Sequence, residues 1–206
     1  VHGRWPDKPL EQELRLNKYK IYAAREFARV NGLNRIVIDS PNPRFGIITT
    51  GKAYLDVMQA LEDMGITGSV AAEIGLRVYK VGMPWPLEPR ATHEFAEGLE
   101  EILVVEEKRS IVEDQLTGQL YNYPVAARPR VIGEFDENGR DLLPNLAELT
   151  PAMVALAIAS RIRRFESDVR FVVRSPASVG RAWQELSIEL DGRREWSRRI
   201  ATNNPG

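Results

Sequence analysis

Residues Gly46 to Lys52, GIITTGK, have the G-x-x-x-x-G-K spacing of a phosphate-binding loop. That loop needs a strand, then open backbone N–H groups to cradle phosphate, then a helix whose first turn offers Ser or Thr to Mg²⁺. Ile47 and Ile48 instead suit the inside of a strand, which leaves only Thr49, Thr50 and Gly51 for the loop. Ala53 follows Lys52 and has no oxygen for a metal. No later strand ends in the lone Asp that would complete such a site. The string therefore argues against nucleotide hydrolysis. It still marks a strand-to-helix junction, where an open α/β sheet has its ligand crevice and a helix N-terminus favours an anion. Thr49, Thr50, Gly51 and Lys52 are thus a candidate anion site. In the competing reading, Thr49 or Thr50 only caps the helix and Gly51 only permits the turn.

Two further clusters carry chemistry-bearing side chains. VVEEKR puts Glu106, Glu107 and Lys108 at a strand end, the same sheet edge as the threonines if the sheet is parallel. Adjacent carboxylates beside a base suit acid/base work or an interface, or simply a solvated strand end. GMPWPLEP joins Met83, Trp85 and Leu87 to three prolines directly after a strand. Prolines restrict the free loop and preshape it, and Trp and Met suit a protein–protein contact. Alternatively, Trp85 folds back over its own core. The two histidines, His2 and His93, lie in no metal-ligand spacing, and there is no cysteine for a nucleophile, a disulfide or a metal thiolate. In the tail, Arg193, Arg194, Arg198 and Arg199 are diluted by Glu185, Glu189, Asp191 and Glu195, which points to a solvated face.

An alternation of strands and helices must position these residues. Leu10 to Val30 reads as a helix with Leu14, Ile21, Ala24, Phe27 and Ala28 on its apolar side, stopped at NGLN. RIVIDSP is a short strand and FGIITTG a buried one. KAYLDVMQALEDMG is a helix with Tyr54, Val57, Met58 and Leu61 on one face and Gly65 as its stop. LRVYKVG, EEILVVEEK and RPRVIGEFD are further strands, separated by helices over HEFAEGL and RSIVEDQLTGQLYN. A last helix begins at Thr150–Pro151, a cap followed by a favoured first position. This rhythm predicts a mostly parallel sheet of the α/β class covered on both faces. The domain plan is a helical lead-in over 1–34, an α/β domain over 35–165, and a C-terminal extension over 166–206, either hairpin and helix or linker.

The 206 residues suffice for one such domain, and a net charge of −1 gives no reason to expect nucleic acid. No apolar run approaches a bilayer span and no secretory signal is visible, so neither membrane nor export is expected. A cytoplasmic setting fits the missing cysteines. The valine at position 1 is compatible with a segment of a longer polypeptide.

Taken in order, GIITTGKAYLDVMQALEDMGI, RVYKVGMPWPLEP, FAEGLEEILVVEEKRSIVEDQL and RPRVIGEFDE resemble the indolepyruvate ferredoxin oxidoreductases, in their long fused bacterial form. The likeness covers roughly Arg35 to Phe165. It implies a domain similar to the transketolase C-terminal domain, with a five-stranded sheet, placed between thiamine diphosphate-binding domains. The resemblance also implies a parent reaction. An aryl 2-oxo acid is decarboxylated with thiamine diphosphate and Mg²⁺, electrons leave through iron–sulfur clusters to ferredoxin, and the acyl group passes to coenzyme A. The chain lacks a G-D-G motif with a later Asn for the diphosphate, and lacks cluster cysteines. The expectation is a non-catalytic assembly domain that binds none of these cofactors itself and contacts other domains of an oligomeric enzyme. Its interface would be the sheet edge bearing Thr49–Gly51, Met83–Leu87 and Glu106–Lys108. Two rivals remain: a freestanding anion- or nucleotide-binding module of Rossmann-like fold, and a freestanding interaction protein.

Overall fold

The structure is a computed structural model that describes residues 8–165, and the backbone of strands 169–174, 183–190 and 193–201. His2 and residues 166–168, 175–182, 191–192 and 202–206 lie outside the described residues, as do the side chains of Arg193, Arg194, Arg198 and Arg199 read above as a solvated face. A helical arm comes first: α1 (Pro9–Arg15), a π-helical turn (Leu16–Lys20) and α2 (Ile21–Val30). The arm departs from its sequence pattern. Only Ala28 is buried, while Leu14 and Phe27, expected on the inner face, are exposed.

The body contains β1 (Arg35–Ile38), β2 (Phe45–Thr50), β3 (Leu76–Val81), β4 (Glu101–Val105) and β5 (Arg130–Ile132) in the order β1-β3-β2-β4-β5. β2 pairs in parallel with β3 and β4, and β4 with β5, while the edge strand β1 runs antiparallel to β3. The expected α/β class with a five-stranded, mostly parallel sheet is what the chain forms. Period-two alternation sends Phe45, Ile47, Leu76, Val78, Leu103 and Val105 to one face, and Ile48, Tyr79, Val81, Ile102 and Val104 to the other. Both faces are covered, which is why these strands read as continuous apolar runs.

Helix α3 (Gly51–Asp63) and helix α7 (Pro151–Phe165) cover the first face; α5 (Pro89–Ala96) and α6 (Ile111–Leu120) cover the second. The α3 stripe is Ala53, Val57, Ala60 and Leu61, so Tyr54 and Met58 sit half-buried at its margin rather than at its centre. α3 ends as foreseen at Gly65. Its N–H donates to Glu62 O at 2.9 Å and the Ile66 N–H to Leu61 O at 2.9 Å, with Gly65 at φ 69°. Helix α4 (Gly68–Glu73), absent from the sequence reading, is six residues long, too short for a clear period. α5 starts earlier than read, at Pro89, because Glu88 accepts hydrogen bonds from the Arg90 and Ala91 N–H groups and caps it. Thr150 accepts from the Met153 N–H at 3.3 Å and caps α7. After α7, β6 (Val169–Arg174), β7 (Trp183–Leu190) and β8 (Arg193–Ala201) form an antiparallel three-stranded sheet, in place of a hairpin and helix or a linker.

Candidate functional site

The neighbouring central strands β2 and β4 lead into helices on opposite faces, α3 and α6. Their carboxyl ends are therefore the topological switch point, where an open α/β sheet has its crevice. Thr49–Lys52 border it on one side and Glu106–Lys108 on the other, as the parallel sheet required.

Within that crevice the two groups bind each other. The Lys52 ammonium donates to Asp56 Oδ2 (2.8 Å), to Glu107 Oε1 (3.3 Å) and to the Leu149 carbonyl (2.9 Å). The Asp56 hydrogen bond leads in holding the Lys52 amine above its ordinary range. Glu107 Oε1 also accepts from the Leu149 N–H at 3.2 Å. The strand-to-helix crevice is thus bridged by one cation between two carboxylates, with the backbone leading into α7 laid across it. Asp56 and Leu149 were not legible as members of this cluster. Asp56 had a local signal, four residues after Lys52 on a helix; Leu149 had none.

Gly46 and Gly51 have separate reasons to be glycine. A Cβ at Gly46 would lie 2.5 Å from Leu99 Cδ1 and 2.9 Å from Phe95 Cζ, so helix-on-sheet packing excludes one. Gly51 has φ +57°, the left-handed turn into α3. Neither threonine caps α3, a correction to that reading. The Thr50 hydroxyl donates to Val81 O at 2.9 Å, and Thr49 Oγ1 is buried without a partner.

The proline-rich loop is pinned from two sides, by Asn34 just before β1 and by two glutamines of α6. Asn34 Oδ1 accepts the Gly82 and Met83 N–H groups. Gln115 accepts from the Leu87 N–H and donates to Pro84 O, and Gln119 donates to Leu87 O. Held this way, Trp85 is 59% exposed and Met83 half-buried. Leu87 corrects the sequence reading: it is fully buried among Phe95, Val112 and Leu116 and faces the core, not a partner. Glu106 turns inward and accepts the Val112 and Glu113 N–H groups at the start of α6. Lys108 is exposed, at φ 70°. Ile111, beside Pro84 through Gln115, adds exposed apolar surface to this edge.

The family model for the indolepyruvate ferredoxin oxidoreductase middle domain matches residues 34–181, well over half the chain. The chain belongs to this family. It is 29% identical over 123 residues to the indolepyruvate oxidoreductase subunit IorA of Pyrococcus abyssi, covering 59% of this chain and 17% of that protein. The IorA of Methanothermobacter thermautotrophicus is 29% identical over 154 residues, covering 71% and 22%. The chain thus spans about a fifth of the length of these curated relatives. Among solved structures, a 2-oxoglutarate:ferredoxin oxidoreductase from Magnetococcus marinus aligns at TM-score 0.43 and 17% identity, over 75% of this chain and 24% of that one. A split-gene transketolase, described as an inactive β4 tetramer, aligns at TM-score 0.41 and 17% identity, over 65% and 42%.

The chain has no thiolate for an iron–sulfur cluster. Among the described residues no three His, Asp or Glu side chains gather as a metal set. None of the described helices is long and apolar enough to cross a membrane.

Proposed function

We propose that this middle domain is a non-catalytic assembly unit of an indolepyruvate, or other aryl 2-oxo acid, ferredoxin oxidoreductase. The parent enzyme converts the 2-oxo acid to carbon dioxide and an acyl-CoA and passes the electrons to ferredoxin. Thiamine diphosphate with Mg²⁺ and iron–sulfur clusters supply that chemistry from other domains. The observation that carries this reading is the bridged crevice. Where this fold would hold a ligand, Lys52, Asp56, Glu107 and Leu149 satisfy one another. What the same sheet edge offers instead is protein-binding surface, with Trp85 presented on a loop fixed by hydrogen bonds from Asn34, Gln115 and Gln119. Tryptophans held this way are the usual anchors of interfaces, because little freedom is lost on binding.

The test is Trp85→Ala in the full-length enzyme. The expected outcome is loss of assembly and activity together, with the melting of the isolated chain unchanged. Normal assembly with the substitution in place would overturn the reading. The alternative, an anion-binding module, draws on one observation: the first turn of α3 has no side-chain cap, so its N–H groups are open to an anion.

A further inference from the structure

The carboxyl edge of the sheet presents positive charge that nothing nearby balances. Arg35 of β1 and Lys80 of β3 stand directly opposite each other in the antiparallel register and so share a face. Like charges placed this way destabilise a strand pair. Lys80 is level with Thr49 of β2, which puts both cations at that edge. Its ammonium lies 4.5 Å from the centre of the Tyr54 ring on α3. Neither cation makes an ion pair among the described residues, and neither do Lys108 and Arg109 after β4. Arg35, Lys108 and Arg109 are exposed.

The acids of the same edge are mostly committed inward. Asp56 and Glu107 hold Lys52, Glu88 caps α5, and Glu106 accepts the first N–H groups of α6. Asp114 and Glu148 make no ion pair and offset part of the positive charge. The cations flank an apolar centre. β1 and β3 lie on one side of β2, and β4 on the other. Gln115 joins the Trp85 loop to Ile111 by donating to the Pro84 and Ile111 carbonyls. Trp85 and Ile111 are 59% and 48% exposed. An apolar centre with a charged rim is the anatomy of a protein interface rather than of a small-anion site.

We propose that this edge docks on an acidic protein surface of the assembled parent enzyme, one whose carboxylates surround an apolar pocket for Trp85. A carboxylate set against Arg35 and Lys80 relieves their repulsion only while the partner is in place. Complementarity of this kind selects the partner and fixes its register. The inference rests on the assembly reading above and adds the chemistry of what the edge meets.

The experiment compares Arg35→Glu, Arg109→Glu and Trp85→Ala with the unaltered full-length enzyme, by sedimentation velocity at low and at high salt. Thermal melting of the 206-residue chain with the same substitutions runs alongside. Arg35→Glu sets opposite charges across β1 and β3, so the chain should melt no lower than before. The enzyme should nonetheless assemble about tenfold more weakly. Arg109→Glu should weaken assembly in the same way, and added salt should weaken assembly of the unaltered enzyme. If Trp85→Ala blocks assembly while both charge reversals assemble normally, the acidic partner is overturned and the assembly reading stands. Normal assembly of all three overturns both. A drop in melting with Arg35→Glu that accompanies the loss of assembly also overturns the proposal, because the arginine would then be structural.

Discussion

Gly51 is the residue on which the turn from β2 into α3 depends. An L side chain at φ +57° brings Cβ against the neighbouring carbonyl. Gly51→Ala should therefore lower stability by about 1–2 kcal/mol, read from the urea midpoint, with no packing clash to confuse it since nothing lies within 4 Å of the added methyl. Gly46→Ala should be worse, because the methyl meets the Phe95 ring and Leu99 in a filled core. The two glycines of one motif-like string would thus fail for different reasons. Each glycine of the phosphate-loop spelling has a structural reason of its own. At this scale the sequence was readable where the cause is local. The Gly65 stop, the Thr150 cap and the strand character of Ile47–Ile48 each depend on immediate neighbours. The Thr50 hydroxyl was misread because its partner, Val81 O, belongs to another strand.

Between elements, the tie of greatest consequence joins α7 to β4. Glu101 and Arg161 make a two-pronged buried pair at 2.7 and 2.6 Å, with side-chain exposures of 1% and 5%. Arg130 and Glu137 add further contacts to it. Arg161→Ala leaves the Glu101 carboxylate buried and short of partners, and should cost about 3–5 kcal/mol in chemical denaturation. A Met of similar volume together with Glu101→Gln should recover much of that loss. A second tie is pH-dependent. Burial pushes the Glu106 and Glu113 carboxyls, at the α6 start and against the β5 end, above their ordinary value of 4.5. The folded state then holds these protons more tightly than the unfolded chain does. Their favourable contribution is complete below the unfolded value and disappears as pH rises through the raised folded values. Stability of E113Q should accordingly fall less than that of the unaltered chain between pH 4.5 and neutrality. Parallel curves would rule out Glu113 as a contributor.

For the whole molecule, the question is whether the carboxyl edge meets a small ligand or a protein. A ligand present at a hundred times its dissociation constant adds about 2.7 kcal/mol to stability, so a thermal shift resolves it directly. With ATP, thiamine diphosphate or coenzyme A, the expected outcome is no shift, because an anion would have to displace Lys52 from Asp56 and Glu107. A shift that Lys52→Ala removes would favour the anion-binding alternative instead. Trp85→Ala belongs at this scale too. It should leave the fold untouched while altering what the domain assembles with, since its ring is exposed and its loop is held by Asn34, Gln115 and Gln119 rather than by itself.

The sequence by itself determined the alternation of strands and helices, the parallel core and the family. Apolar period, glycine stops and caps are short-range properties, and a run such as ILVV has few places to go except inside a two-faced sheet. Only the tertiary structure decided which candidate residues are exposed and which are buried or bound to one another. Lys52 and Glu107 are 55 residues apart and meet because β2 and β4 are neighbours. Leu87 is in the core because α5 and α6 close over it. The arm's apolar side chains, periodic enough to suggest burial, stay exposed because α2 reaches the body mainly through α5. Whether a periodic face is buried depends on what lies opposite it, and no window of sequence contains that.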